Sequence, residues 1–218
     1  APGKREWEEV ISGEDRGPAY SVVVNQKGEI LIGTWNGLYR YSKNTLLKEE
    51  GPEPPVSEIC SDNEGDYALG PFGIWRNTSN KWEKQNYNIA RSVRDALSDD
   101  NGNLWVATDA GLYRCHNGET RLFQDVSEMI SCNVKAVAFD SDGLIWTGVL
   151  GGVSIRDSVS LIDNLTPDNG IPSVNVNCIA KSQDSVMWVG TDVGIVRYAP
   201  DGSHSIRFSR RWLTDNKV

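Results

Sequence analysis

Asn101-Gly-Asn-Leu-Trp105-Val-Ala-Thr108-Asp-Ala-Gly111-Leu-Tyr-Arg114 is the stretch on which the fold turns. Asn101-Gly102 tolerates positive φ and suits a tight hairpin turn. Leu104 to Ala107 is a short apolar run around a tryptophan, the composition of a strand covered on both faces. Thr108 to Gly111 breaks the chain again, and Gly111 to Arg114 reads as a second strand. Two short strands between tight turns cannot bury their own faces, so the stretch demands neighbours of the same kind.

Those neighbours are in the chain. The pattern returns at Gly28-Glu-Ile-Leu31-Ile-Gly-Thr34-Trp-Asn-Gly37-Leu-Tyr-Arg40 and at Gly65-Asp-Tyr-Ala68-Leu-Gly-Pro-Phe-Gly73-Ile-Trp-Arg76. It returns again at Asp142-Gly-Leu-Ile-Trp146-Thr-Gly-Val-Leu-Gly-Gly152-Val-Ser-Ile155 and at Asp184-Ser-Val-Met-Trp188-Val-Gly-Thr191-Asp-Val-Gly194-Ile-Val-Arg197. Its second glycine falls at positions 37, 73, 111, 152 and 194, a period of 36 to 42 residues. A period of this length signals a repeat architecture in which each unit buries its faces against the next.

Each repeat divides into four strands, A to D. Strand A is the apolar run before the first turn, such as Val134–Phe139; B carries the tryptophan; C follows the Thr-x-x-Gly turn; D follows a second turn such as Asn117-Gly118. The expected fold is an all-β propeller of four-stranded blades in a single domain over 1–218, with blades near 19–50, 56–86, 92–125, 133–164 and 175–209. Residues 4–11 read as an orphan outer strand, and 210–218 as the start of a further blade, because the first valine of strand A recurs at Val134, Val176 and Val218. The expectation favours a six- or seven-bladed ring that is incomplete in this chain and completed by a second chain or further segment, with a closed five-bladed ring as the alternative.

The pattern D-x-x-G-x-[LI]-W-[VT]-[GA]-T-x-x-G-[LI]-x-[RV]-[YC] resembles the two-component regulator propeller repeat, at repeat level over most of residues 19–209. Repeat two departs from it with Ala68 at the tryptophan position and a shortened Gly70-Pro-Phe-Gly73 turn, and repeat one has Leu31 there. The resemblance implies sensor propellers of hybrid histidine kinases, several of which respond to oligosaccharides. A periplasmic or extracellular setting and a carbohydrate ligand follow as expectations of the resemblance; the chemistry of the ligand face admits a peptide equally, and a cytoplasmic setting stays open.

Composition narrows the partners. The 218 residues hold 21 glycines and 8 tryptophans against 2 methionines, with a formal net charge of −8. No basic cluster exceeds the Arg207–Arg211 stretch, which disfavours nucleic acid and anionic membrane surfaces. No apolar run approaches the roughly 20 residues that span a bilayer. Cys60, Cys115, Cys132 and Cys178 are compatible with two disulfides without requiring them, and Cys60 and Cys178, inside apolar strands, read as buried thiols. Asn77 and Asn164 open N-glycosylation sequons, the second weakened by the proline after Thr166.

In a propeller the D–A and B–C connections share one face, where ligands bind. The B–C turns offer Trp35, Asn36, Phe72, Asp109, Leu150 and Asp192, and the early strand-A positions offer Tyr20 and Asn177; together they read as a binding surface, aromatic faces for stacking and polar groups for orientation. A second reading is a lyase or hydrolase. Glu58 and Asp95 occupy equivalent repeat positions and could share a proton, while Arg94 and Lys135, also equivalent, could hold an anion. A third is a purely structural subunit. The turn clusters at Asp62–Gly65, Asp99–Gly102 and Asp140–Gly143 lack the terminal bidentate glutamate of calcium loops and read as hairpin chemistry. His116 and His204 fall at C–D turns, no Cys-x-x-Cys is present, and no glycine loop precedes a helix, so neither a metal nor a phosphate-bearing cofactor is expected.

Overall fold

The computed structural model describes residues 17–89, 91–125 and 127–208. They form twenty strands in five four-stranded antiparallel sheets, with no helix among the described residues. The chain divides into two compact units, Ala1–Gln85 and Asn86–Val218. The first holds β1–β4 (Ala19–Val24, Ile30–Thr34, Gly37–Ser42, Thr45–Lys48) and β5–β8 (Glu58–Ser61, Asp66–Gly70, Gly73–Asn77, Trp82–Gln85). The second holds β9–β12 (Val93–Ser98, Leu104–Thr108, Gly111–His116, Glu119–Phe123), β13–β16 (Val134–Phe139, Ile145–Val149, Gly152–Arg156, Leu161–Leu165) and β17–β20 (Val176–Lys181, Met187–Thr191, Gly194–Tyr198, His204–Phe208). Every sheet is a simple meander, in the strand order read from the repeat. The all-β blade architecture is therefore as expected. The orphan strand at 4–11 and the start of a further blade at 210–218 lie outside the described residues.

The core lies between sheets rather than within them. In the second unit Trp105, Leu112 and Phe123 of one blade pack on Val134, Val137 and Ile145 of the next, and Trp146 and Ile155 pack on Val176, Ile179 and Val189 of the one after. In the first unit Leu31 and Leu38 meet Ile59, Ala68, Trp75 and Trp82. Burial at about 25 cal/mol per Å² of apolar surface makes these seams the main source of stability.

The repeat motif has a visible cause in the turns. Thr34, Thr108 and Thr191 each donate their Oγ1 hydroxyl to the carbonyl of the glycine three residues on, at 2.8–2.9 Å. The same oxygens accept the N–H of Asn36, Ala110 and Val193, closing the B–C turn from both sides. Gly111 sits at φ +141°, and a Cβ there would lie 2.3 Å from the Phe123 carbonyl oxygen, so only glycine lets the outer strand approach.

The A–B turns hold the tryptophans. Asp99 Oδ1 accepts the N–H of Asn101 and Asn103 while Oδ2 accepts Trp105 Nε1 at 2.9 Å; Asp140 treats Asp142, Leu144 and Trp146 in the same way. Ser182 Oγ takes the place of the carboxylate for Trp188 at 3.3 Å. These acidic turn residues are thus committed to backbone and indole donors, the hairpin chemistry their sequence suggested.

Two readings are corrected here. Register places Tyr67, not Ala68, at the tryptophan position of repeat two: Tyr67 pairs with Cys60 and Arg76 as Trp105 pairs with Leu97 and Arg114. Its turn closes from Asp62 N to Gly65 O, one residue shorter than the Asp99 N to Asn103 O closure, and that shortening shifts the phase of β6 by one residue. All four cysteines are thiols, and Cys60 is buried as expected, but Cys178 is exposed on β17.

Candidate functional site

Four of the five blades begin with the same irregularity. Between Ala19 and Ser21, Val93 and Asp95, Val134 and Ala136, and Val176 and Cys178 the pairing of strand A with strand B skips one residue. The skipped residues are Tyr20, Arg94, Lys135 and Asn177. A bulge of this kind releases one residue from the ladder and re-aims its side chain, a device frequent beside binding sites. All four had been singled out from sequence, and the bulge supplies the structural reason they differ from the strand residues that follow.

In two blades the residue after the bulge tethers the next inner strand. In the second unit Asp95 Oδ2 accepts the N–H of Val137 on the next inner strand at 2.8 Å, and Oδ1 accepts Ala96 N at 2.9 Å. Burial lifts this carboxyl from 3.8 to about 6, against the lowering effect of those two N–H groups. In the first unit Ser21 fills the role: its hydroxyl accepts Ile59 N at 3.2 Å and donates to Glu58 Oε1 at 2.8 Å.

In the first unit Tyr20, Trp35 and Phe72 are exposed, Trp35 at 57%, and Asn36 is half-buried within its Thr34-held turn. Trp35 N donates to Pro18 O at 3.0 Å, which joins the approach to β1 to the B–C turn. Glu58 and Asp95 lie in different units, so each is placed only within its own.

The second unit gathers more of the singled-out residues. Arg94 Nη1 donates to Asn133 Oδ1 at 2.6 Å, and Lys135 Nζ to Asn177 Oδ1 at 3.4 Å. Asn175 Nδ2 donates to Asp192 Oδ2 at 3.0 Å, and bonds from Ser173 and Asn175 hold the Asp192 carboxyl below the usual range. Leu150 bridges to Asn175, so a B–C turn and a D–A loop meet. Asp109 is exposed at its own turn.

Asn133, Asn175 and Ser173 were not among the residues picked from sequence. A signal for them exists: Ser131-x-Asn133-Val-Lys135 and Ser173-x-Asn175-Val-Asn177 repeat at the blade period, and in both the asparagine N–H donates to the serine hydroxyl, at 3.2 and 3.1 Å. As for the glycosylation sequons, Asn77 is buried at 3% exposure and offers no amide to solvent in this fold, while Asn164 accepts a hydrogen bond from Ser154 Oγ at 2.7 Å.

A cleft of about 720 Å³ in the second unit opens at the other end of the strands, beside the A–B turns, lined by Asp99, Asp100, Asn103, Arg114, Asp140 and Lys181 among others. Two of its carboxylates, Asp99 and Asp140, are those already engaged by indole and backbone N–H.

No curated protein matches the chain. Among solved structures it is similar to the extracellular domain of a hybrid two component system from B. thetaiotaomicron, at 19% identity and TM-score 0.78, covering 97% of this chain and 31% of that one. A one component system extracellular domain from the same organism gives 18% identity and TM-score 0.73, covering 91% and 32%. Virginiamycin B lyase from Staphylococcus aureus gives 15% identity and TM-score 0.70, covering 89% of this chain and 71% of the lyase. The chain thus spans about a third of the length of the sensor domains it matches. At these identities the likeness is one of fold, and the fold is shared by sensor domains and an enzyme. The resemblance seen in the repeats is borne out where it can be matched directly: residues 170–193, from the approach to β17 to the B–C turn after β18, fit the family described as two component regulator propeller.

Proposed function

We propose that the chain is a non-enzymatic recognition propeller, extracellular or periplasmic, which binds a carbohydrate or peptide at the end of the blades formed by B–C turns and D–A loops. The observation that carries this reading is the repeated bulge, which sets Tyr20, Arg94, Lys135 and Asn177 at one register beside exposed turn residues. Hydrophobic repeats need no such irregularity to pack, and an exposed tryptophan and phenylalanine at turn tips contribute nothing to the seams between blades. The setting draws support from the sensor domains among the structural neighbours, which are extracellular.

The test is an array of neutral and charged oligosaccharides and short peptides, followed by titration calorimetry on any binder. Saturable binding that Tyr20→Ala or Trp35→Ala weakens about fivefold or more, with melting temperature unchanged, supports the reading. Binding to none of the array, or binding indifferent to every variant at this end of the blades, overturns it.

A hydrolase or lyase is favoured by one observation only, the Asp95 carboxyl lifted to about 6, a value suited to proton transfer at neutral pH. Against it, both Asp95 oxygens already accept backbone N–H groups. Completion of the propeller by another chain or segment is the remaining part of the proposal. Val22 and Val24, at 61% and 65% exposure, occupy the sheet face that in later blades is covered by the preceding one.

A further inference from the structure

The bulge row of the second unit has a chemistry of its own. Arg94 and Lys135 stand on the adjacent inner strands β9 and β13 and rest on the neutral amide oxygens of Asn133 and Asn177. Among the described residues neither has a carboxylate at ion-pair distance. Lys27, Arg114 and Lys181 share that lack of an ion pair, so what sets Arg94 and Lys135 apart is their common bulge position on adjacent inner strands. Arg40 is clasped by Glu29 and Glu49, both at 2.9 Å, and Arg121 by Glu128 at 3.1 Å.

Two carboxylates beside the row, Asp95 and Asp192, accept hydrogen bonds from within the protein. Asp95 faces the N–H groups of Val137 and Ala96, and Asp192 has one oxygen on Asn175 and the other buried. The row therefore presents a guanidinium, an ammonium and amides, with Asp192 near enough for Lys135 to help hold its carboxyl low and Asp109 exposed at its own turn.

We propose that Arg94 and Lys135 form an anion-binding ledge for the carboxylate of an acidic oligosaccharide, an inference that rests on the recognition reading above. The planar guanidinium fork matches a carboxylate in two parallel hydrogen bonds, and the ammonium adds a point charge beside it. Asn133 and Asn177 touch the pair directly, and amides at such a site suit ring hydroxyls better than the apolar side chains of a peptide. The bulges matter because they lift both cations out of the strand ladder, where their side chains would otherwise follow the alternation of a packed sheet.

The experiment is titration calorimetry of the full chain with a linear oligouronate of about four rings, its neutral methyl ester, and hexaglutamate. The oligouronate binds, the methyl ester binds at least about tenfold more weakly, and Arg94→Gln/Lys135→Gln removes that difference, since loss of a charge-assisted pair is worth roughly a factor of ten. Raising salt weakens the acidic arm and leaves the neutral arm alone. Lys81→Ala, on an exposed turn of the first unit, changes nothing, and a circular-dichroism melt establishes that the double variant is folded.

Equal affinity for acid and ester, failure of the oligouronate to bind, or indifference to the double variant overturns the ledge. Neutral sugar binding that persists in such a case leaves the recognition reading standing. Preference for hexaglutamate replaces the sugar with an acidic peptide and overturns the assignment of ligand class.

Discussion

The two units solve the same structural problem with different side chains. In the first, the bulge residue is Tyr20, the inner-strand tether is the hydroxyl of Ser21, and the seam is filled from Leu31. In the second, the bulge residues are Arg94, Lys135 and Asn177, the first tether is the carboxylate of Asp95, and the seams are filled from Trp105 and Trp146. The first blade of the first unit shares the bulged register of the second unit, while the blade of β5–β8 lacks the bulge and has the shorter A–B turn. The repeat therefore specifies positions, and each blade chooses the chemistry placed there: an aromatic bulge residue in the first unit, cations and an amide in the second.

The sharpest way to break this comparison is at the filled position. Trp105→Ala removes a fully buried indole and one of the donors to Asp99 Oδ2, which keeps Asn103 Nδ2, and is expected to cost about 3–5 kcal/mol. Leu31→Ala at the same register is expected to cost about 2–4 kcal/mol, with no polar group stranded. Denaturant unfolding of the two variants measures the difference, and equal costs would show that the tryptophan–aspartate anchor adds nothing.

The tether comes next. Asp95 is raised to about 6 in the folded protein, so between about pH 4 and 6 the folded state holds a proton that the unfolded chain releases. Stability contributed at low pH is thus lost as pH rises through that window, by up to about 3 kcal/mol at neutral pH. Asp95→Ser installs the residue found at the same place in the first blade, Ser21. The expected outcome is a flat profile across the window and a gain of about 1–2 kcal/mol at pH 7. Urea unfolding at pH 4 and pH 7 reads it, and a slope that survives the substitution would assign the effect to another group.

The smallest effect belongs to the turn. Thr108→Val keeps shape but loses the hydroxyl that closes Ala110 N and Gly111 O, at a cost of about 1 kcal/mol. Thr34→Val should match it in the first unit. A large disagreement in their melting temperatures would mean that the turns are not equivalent.

Much of this was legible in the chain because it is local. The spacing of glycines gave the blades, the Asp/Asn-Gly pairs gave the A–B turns, and Thr-x-x-Gly gave the B–C turns. Equivalence of Arg94 with Lys135, and of Glu58 with Asp95, also followed from the repeat and agrees with the pairing registers. The phase of the second repeat did not follow, because counting from Gly65 assumes a turn of constant length and one hydrogen bond made it shorter. Cys178 looked buried because its neighbours are apolar, yet alternation turned it to the exposed side of β17. The loop asparagines escaped notice because their role depends on a hydroxyl two residues earlier and on a side chain from another strand.

The amino-acid sequence by itself determined the strands, their turns and the order in which each sheet is built, since those follow from backbone preferences within a dozen residues. Tertiary structure alone decided which tryptophans and valines are covered, which carboxylate is buried against a neighbour's N–H, and which cations are left resting on amides. Those outcomes depend on groups some forty residues apart meeting across a seam. Their cost is set by desolvation and pairing, which no single repeat contains.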